Sequence, residues 1–268
     1  MVSARPRGSD DPRGFKSLTV LVHGYNNSEH RALARWDDDI FPRLRRLTSA
    51  DFDGLLLYFW PGDAHRLKAV SSAAYPWRVR SAIDAGVELA EYLTRIAKLN
   101  DPKLTVRFVG HSLGCRVVVS ALQALAELGA VPVEKVLLMG AAVPEGDCDK
   151  GGPYQRAVAT AGEVVLHSAS DTLLRHVFPV GERVAQRLAH VPHVGSLTAV
   201  GLFGGPSGRW PAERDSCGLE HDEYWKQPVA LGHVATMFGS LLERRLHVHT
   251  TPERRLDRRE LDERRPDD

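Results

Sequence analysis

The run Gly110-His111-Ser112-Leu113-Gly114 sets a hydroxyl between two glycines. A serine hydroxyl attacks only once a base takes its proton, so it must project from a sharp turn toward that base. The flanking glycines remove the side chains that would block such a turn. Val106-Arg107-Phe108-Val109 ahead of it reads as a strand, and Val118, Leu122, Leu125 and Leu128 behind it repeat as a helix closed by Gly129. A helix opening there aims free N–H groups and its positive dipole end at developing negative charge. The chemistry indicated is attack by Ser112 on a carbonyl carbon, with the Leu113 N–H as a donor to the resulting oxyanion.

A second donor is expected where the apolar run Leu18-Thr19-Val20-Leu21-Val22 meets His23-Gly24-Tyr25-Asn26-Asn27. Glycine lets this loop fold close enough to point the Tyr25 N–H at the site. Losing one such donor typically raises the barrier by about 3–4 kcal/mol. His23 is read as a residue that fixes the loop. Asn26 is expected to orient substrate, although capping of a helix from Ser28 explains it equally well. His111 and Trp60 complete the expected substrate surface.

These two motifs, in this order on successive strand ends, resemble the α/β-hydrolase superfamily. Tyr58-Phe59-Trp60-Pro61-Gly62 is similar to the pattern in lipase- or esterase-like, largely uncharacterised bacterial members. The resemblance spans roughly residues 18–242 and implies a compact α/β-hydrolase fold, with a mostly parallel central sheet and helices on both faces. It also implies a Ser, acid, His triad in that chain order.

The acid expected from this order is Asp171, just beyond the run Glu163-Val164-Val165-Leu166-His167. A carboxylate there can accept the imidazole N–H and stabilise the imidazolium. The Thr172-Leu173-Leu174 run also permits a simple helix-cap role, and Asp147 and Asp149 are the alternatives after the preceding strand. Among twelve histidines the base must lie downstream of the acid. His221 is expected, in a short loop before the final amphipathic helix, with Tyr224 and Trp225 packing beneath it. His193 is the fallback, while His233 belongs to the helix of Leu231, Val234, Ala235 and Phe238. Asp222 is set aside because adjacent side chains diverge.

To position these residues, strands are expected at 17–23, 54–60, 104–109, 135–140 and 163–167. The repeat Val79, Ile83, Val87, Ala90, Leu93 and Ala97 predicts a crossover helix stopping at Asn100-Asp101-Pro102. Apolar runs alternating with helical periodicity are what a parallel sheet covered on both faces requires. Residues 177–216 break that rhythm and are read as a cap or long loop. Residues 1–16 and 250–268 read as charged tails flanking one domain at 17–249.

Charge and composition narrow the partners. Lys and Arg number 35 against 34 Asp and Glu, so the whole-molecule field has no special pull on nucleic acid or anionic membranes. No apolar stretch is long enough to span a bilayer, and the start lacks a secretory h-region, so a cytoplasmic address is expected. Cys115, Cys148 and Cys217 form no CxxC pair and read as reduced, packed thiols. Asp37-Asp38-Asp39 spreads around a helix without His or Cys, so no metal and no cofactor are expected.

The expectation is thus a metal-free serine hydrolase acting on a carboxylic ester or related acyl bond of a small molecule. An acyltransferase or thioesterase on a carrier-bound acyl group, or a binding protein that keeps the fold without chemistry, stays open at this level.

Overall fold

The computed structural model describes residues 5–6, 16–25, 29–44, 54–62, 68–100, 104–129, 131–159, 162–206, 213–237 and 245–249. In chain order these form β1 (Arg5–Pro6), β2 (Ser17–Val22), α1 (Glu29–Ala34), α2 (Phe41–Leu44), β3 (Leu55–Phe59) and α3 (Lys68–Lys98). There follow β4 (Thr105–His111), α4 (Gly114–Leu128), β5 (Val133–Met139), β6 (Gly162–His167) and α5 (Phe178–Leu188). The chain continues through α6 (Val200–Phe203), β7 (Glu213–Ser216), α7 (Pro228–Met237) and β8 (Arg245–His249).

The strands join in one sheet of order β1-β8-β3-β2-β4-β5-β6-β7. Every pairing is parallel except β1 with β8. Parallel neighbours need covered crossovers, and alternating side chains feed two separate cores. Leu18, Val20, Val22, Phe108, Val136 and Leu138 point to a core closed by α3, α4 and α5. Leu21, Leu55, Leu57, Val109, Leu137 and Met139 point to the other, closed by the α1–α2 segment and α7. This is the compact α/β-hydrolase fold expected from the sequence.

The five expected strands are present, shifted at their ends by one or two residues. Three more, β1, β7 and β8, are not foreseen. β7 reads Glu-Arg-Asp-Ser, and a short charged strand at a sheet margin carries no apolar run to announce it. It falls inside 177–216, where α5 packs against α3 as a layer helix. β8 and β1 extend the opposite margin, beside β3. The crossover helix α3 starts well before Val79, at Lys68, and runs through Pro76, a residue that ordinarily signals a helix boundary. α4 ends at Gly129, whose left-handed backbone lets its N–H close on the Leu125 carbonyl.

Among the described residues no helix is long and apolar enough to cross a membrane. Cys115 and Cys148 are buried free thiols and Cys217 a partly buried one. Burial pushes all three upward, Cys217 to about 11. The tail at 250–268 lies outside the described residues, as does the 1–16 stretch apart from Arg5–Pro6 and Lys16.

Candidate active site

Ser112 occupies the turn between β4 and α4 with φ of 56°, a left-handed conformation that a non-glycine residue holds only when its surroundings impose it. Three backbone bonds do so. Its N–H donates to the Met139 carbonyl at 3.0 Å, and its own carbonyl accepts from Cys115 and Ala142 at 3.0 and 3.2 Å. The β2 loop presses against the turn. A Cβ on Gly24 would lie 3.0 Å from Ser112 Cβ, and one on Gly114 would lie 2.4 Å from the His23 carbonyl oxygen. Glycine at 114 is required by that backbone approach, and any side chain at 24 would press tightly on the turn.

The His221 ring bridges Ser112 and Asp171. Its Nε2 is 2.7 Å from Ser112 Oγ and its Nδ1 is 2.7 Å from Asp171 Oδ2. An ionised carboxylate only accepts, so Nδ1 carries the proton, and the lone pair on Nε2 receives the serine O–H. Asp171 is fully buried, and its other oxygen accepts the Leu174 N–H at 2.9 Å. The aspartate therefore caps a helical turn and orients an imidazole at once, joining both roles the sequence allowed. The acid and base loops are also strapped together. Glu220 Oε2 accepts from the Thr172 N–H at 3.2 Å and the Thr172 hydroxyl at 3.0 Å.

His111 and Trp60, expected at the substrate, are instead turned into the scaffold. His111 Nε2–H donates to the His221 carbonyl at 3.0 Å, with Tyr224 and Trp225 packed around its ring. Burial, helped by the neighbouring His221, pushes its pKa down to about 3. It is a neutral prop under the base loop. Trp60 is 3% exposed, and its indole N–H donates to the His23 carbonyl at 2.8 Å. His23 stacks on it with a 15° interplanar angle and donates from Nδ1 to the Gly24 carbonyl at 2.9 Å, fixing the loop as expected. Both corrections share a cause: the polar edge of each ring is taken up by a backbone carbonyl. Tyr25 is half-buried, edge-on to Tyr75 at 5.8 Å. Leu113 precedes the first bonded turn of α4, where N–H groups have no intrahelical acceptor. Asn26 lies outside the described residues.

The alternative acid and base find each other, away from Ser112. His193 Nδ1 is 2.9 Å from Asp147 Oδ2, and its Nε2 is 3.1 Å from Glu182 Oε2. Glu182, fully buried on α5, also pairs with buried Arg116 at 3.0 Å and accepts the Tyr75 hydroxyl at 2.6 Å. Burial lowers the His193 pKa, but the bond to Asp147 and the nearby Glu182 carboxylate outweigh it and raise it to about 9. Burial raises Glu182 in turn, and Arg116, His193 and Tyr75 leave it below the usual carboxylate value. Asp149 caps the adjoining Lys150 N–H, and His233 pairs with Asp215 on β7 at 2.7 Å. Sequence reasoning missed this cluster. A carboxylate in line with Phe178 and Ala185 on the buried face of α5 was the available signal.

A parallel sheet with a strained serine at the turn into its central helix defines the class, an α/β-hydrolase fold. More narrowly, residues 46–197, over half of the chain, match the family described as "Protein of unknown function (DUF726)", and the chain belongs to it. No curated protein matches the sequence. Similar solved structures include an esterase of Pyrobaculum calidifontis, at 15% identity and TM-score 0.40, covering 88% of this chain and 80% of that one. Acyl-protein thioesterase 2 of Zea mays is similar at 11% identity and TM-score 0.37, covering 88% and 96%. A thermostable esterase from Pseudomonas putida follows at 14% identity and TM-score 0.37, covering 91% and 84%.

Proposed function

We propose that this protein is a serine hydrolase that cleaves a carboxylic ester or related acyl bond through an acyl-enzyme. The observation that carries the reading is the unbroken Ser112–His221–Asp171 chain, with both links at 2.7 Å. Ser112 Oγ adds to the acyl carbon while its proton passes to His221 Nε2. The carbonyl oxygen, now negative, meets the N–H groups of Leu113 and Tyr25. Collapse breaks the bond to the alcohol, which leaves with the proton from Nε2. Water then repeats the sequence on the acyl-serine, with His221 again as base, and releases the acid. Asp171 stays ionised and stabilises the imidazolium through both steps.

Ser112→Ala is expected to abolish covalent labelling by a fluorophosphonate and to lower kcat by about a million-fold, the scale seen when a relay loses its nucleophile. The substitution leaves the strained turn in place, so its circular dichroism melt should match the parent. Labelling of the variant at the parent rate would refute the assignment.

A further inference from the structure

The outer surface of α5 and the turn before it is apolar where a helix on a globular protein is normally polar. Leu173, Val177, Val180, Val184 and Leu188 are all exposed, from 37% for Val184 to 60% for Val177. Their spacing of four, three, four and four residues places them in one row. A different row, Leu174, Phe178, Glu182 and Ala185, faces the core. The outward apolar residues are therefore not a side effect of packing. Contiguous patches of this kind mark an interaction site.

The charges beside this row share one sign. Between 172 and 191 the exposed ionisable residues are Arg175, His176, Arg183, Arg187 and His190. The segment's one carboxylate, Glu182, is buried against Arg116. Arg183 and Arg187 are four residues apart and run alongside Val180, Val184 and Leu188. No carboxylate among the described residues pairs with either. The acids that reach the segment, Asp171 and Glu220, bond Leu174 and Thr172 at its very start. The near-neutral whole thus hides a basic, apolar face.

From this we infer that the Leu173–Leu188 surface is a docking face for a lipid bilayer bearing anionic headgroups, with the apolar row seated at the headgroup boundary and Arg183 and Arg187 against the lipid charge. An amphipathic helix with basic flanks binds such interfaces by combining apolar burial with charge attraction. Only Thr172 separates Leu173 from Asp171, so docking would bring the lipid surface near the acid loop. The inference goes beyond the proposed chemistry and does not depend on it.

The test is co-sedimentation of the full chain with extruded vesicles of phosphatidylcholine alone or mixed with phosphatidylglycerol. Binding is expected to the anionic vesicles, weakening as salt rises, and unchanged in Ser112→Ala. Both V180D/V184D and R183E/R187E should weaken it by about tenfold or more. All four positions are exposed, and unchanged melting of the variants would show that the fold is intact. Failure of the parent to sediment with anionic vesicles, or equal sedimentation of V180D/V184D, would overturn the proposal. So would a parent dimer in analytical ultracentrifugation that V180D/V184D splits, since the row would then be covered by a second copy. A Ser112→Ala protein that still reacts with fluorophosphonate would strike only the hydrolase reading.

Discussion

His221 and His193 each set Nδ1 against an aspartate oxygen, at 2.7 and 2.9 Å, and differ in what faces Nε2. For His221 it is a hydroxyl, and for His193 the Glu182 carboxylate. A hydroxyl leaves a lone pair on the ring and a proton to take. A carboxylate 3.1 Å away favours a charged ring instead, and together with Asp147 it raises the His193 pKa to about 9, so the ring is a poor base near neutrality. An identical pair of side chains therefore becomes a candidate proton carrier in one place and a fastener in the other. The group on the far nitrogen decides which.

The largest effect that separates the two is on rate. Asp171→Asn should lower kcat by about ten-thousand-fold by leaving the wrong tautomer at His221. Asp147→Asn should leave kcat on a soluble ester within a few-fold of the parent. Equal losses in the two variants would erase the distinction.

Stability should show the reverse. Glu182→Gln strands the Arg116 guanidinium in the interior and removes a partner of His193, which should destabilise the fold by about 3–5 kcal/mol in urea unfolding. An unchanged urea midpoint would mean the cluster holds nothing together.

The smallest effect is the pH dependence. The folded His193 pKa lies above its ordinary 6.5, so its contribution is complete below pH 6.5 and disappears as pH rises through about 9. Glu182 works in the opposite sense. Its folded pKa is depressed below 4.5, so its contribution is present above that pH and fades as acid protonates it. Urea midpoints of the parent minus those of His193→Gln should therefore shrink between pH 6.5 and 9. A difference that stays constant across that window would remove the charged state of His193 from the account.

Ser112 and Asp171 were legible because each follows an apolar run, and a parallel sheet delivers such runs to the same edge, whereas His221 was reached from the chain order and its loop before the final helix. The same logic found the Gly24–Tyr25 loop. It could not find the Arg116 cluster, whose members come from α3, α4, α5 and two loops with no common spacing. Nor could it tell that His111 and Trp60 turn inward. That depends on which carbonyl each ring reaches, a tertiary fact. β7 escaped because its residues are charged, yet it is the strand that carries the chain to His221.

The Glu220–Thr172 strap has a mechanical outcome. Asp171 adjoins one anchor and His221 the other, so the strap ties the positions of the two members of the pair together. A shift of the strapped loops would therefore alter the gap between the imidazole and Ser112 more readily than the imidazole–carboxylate contact.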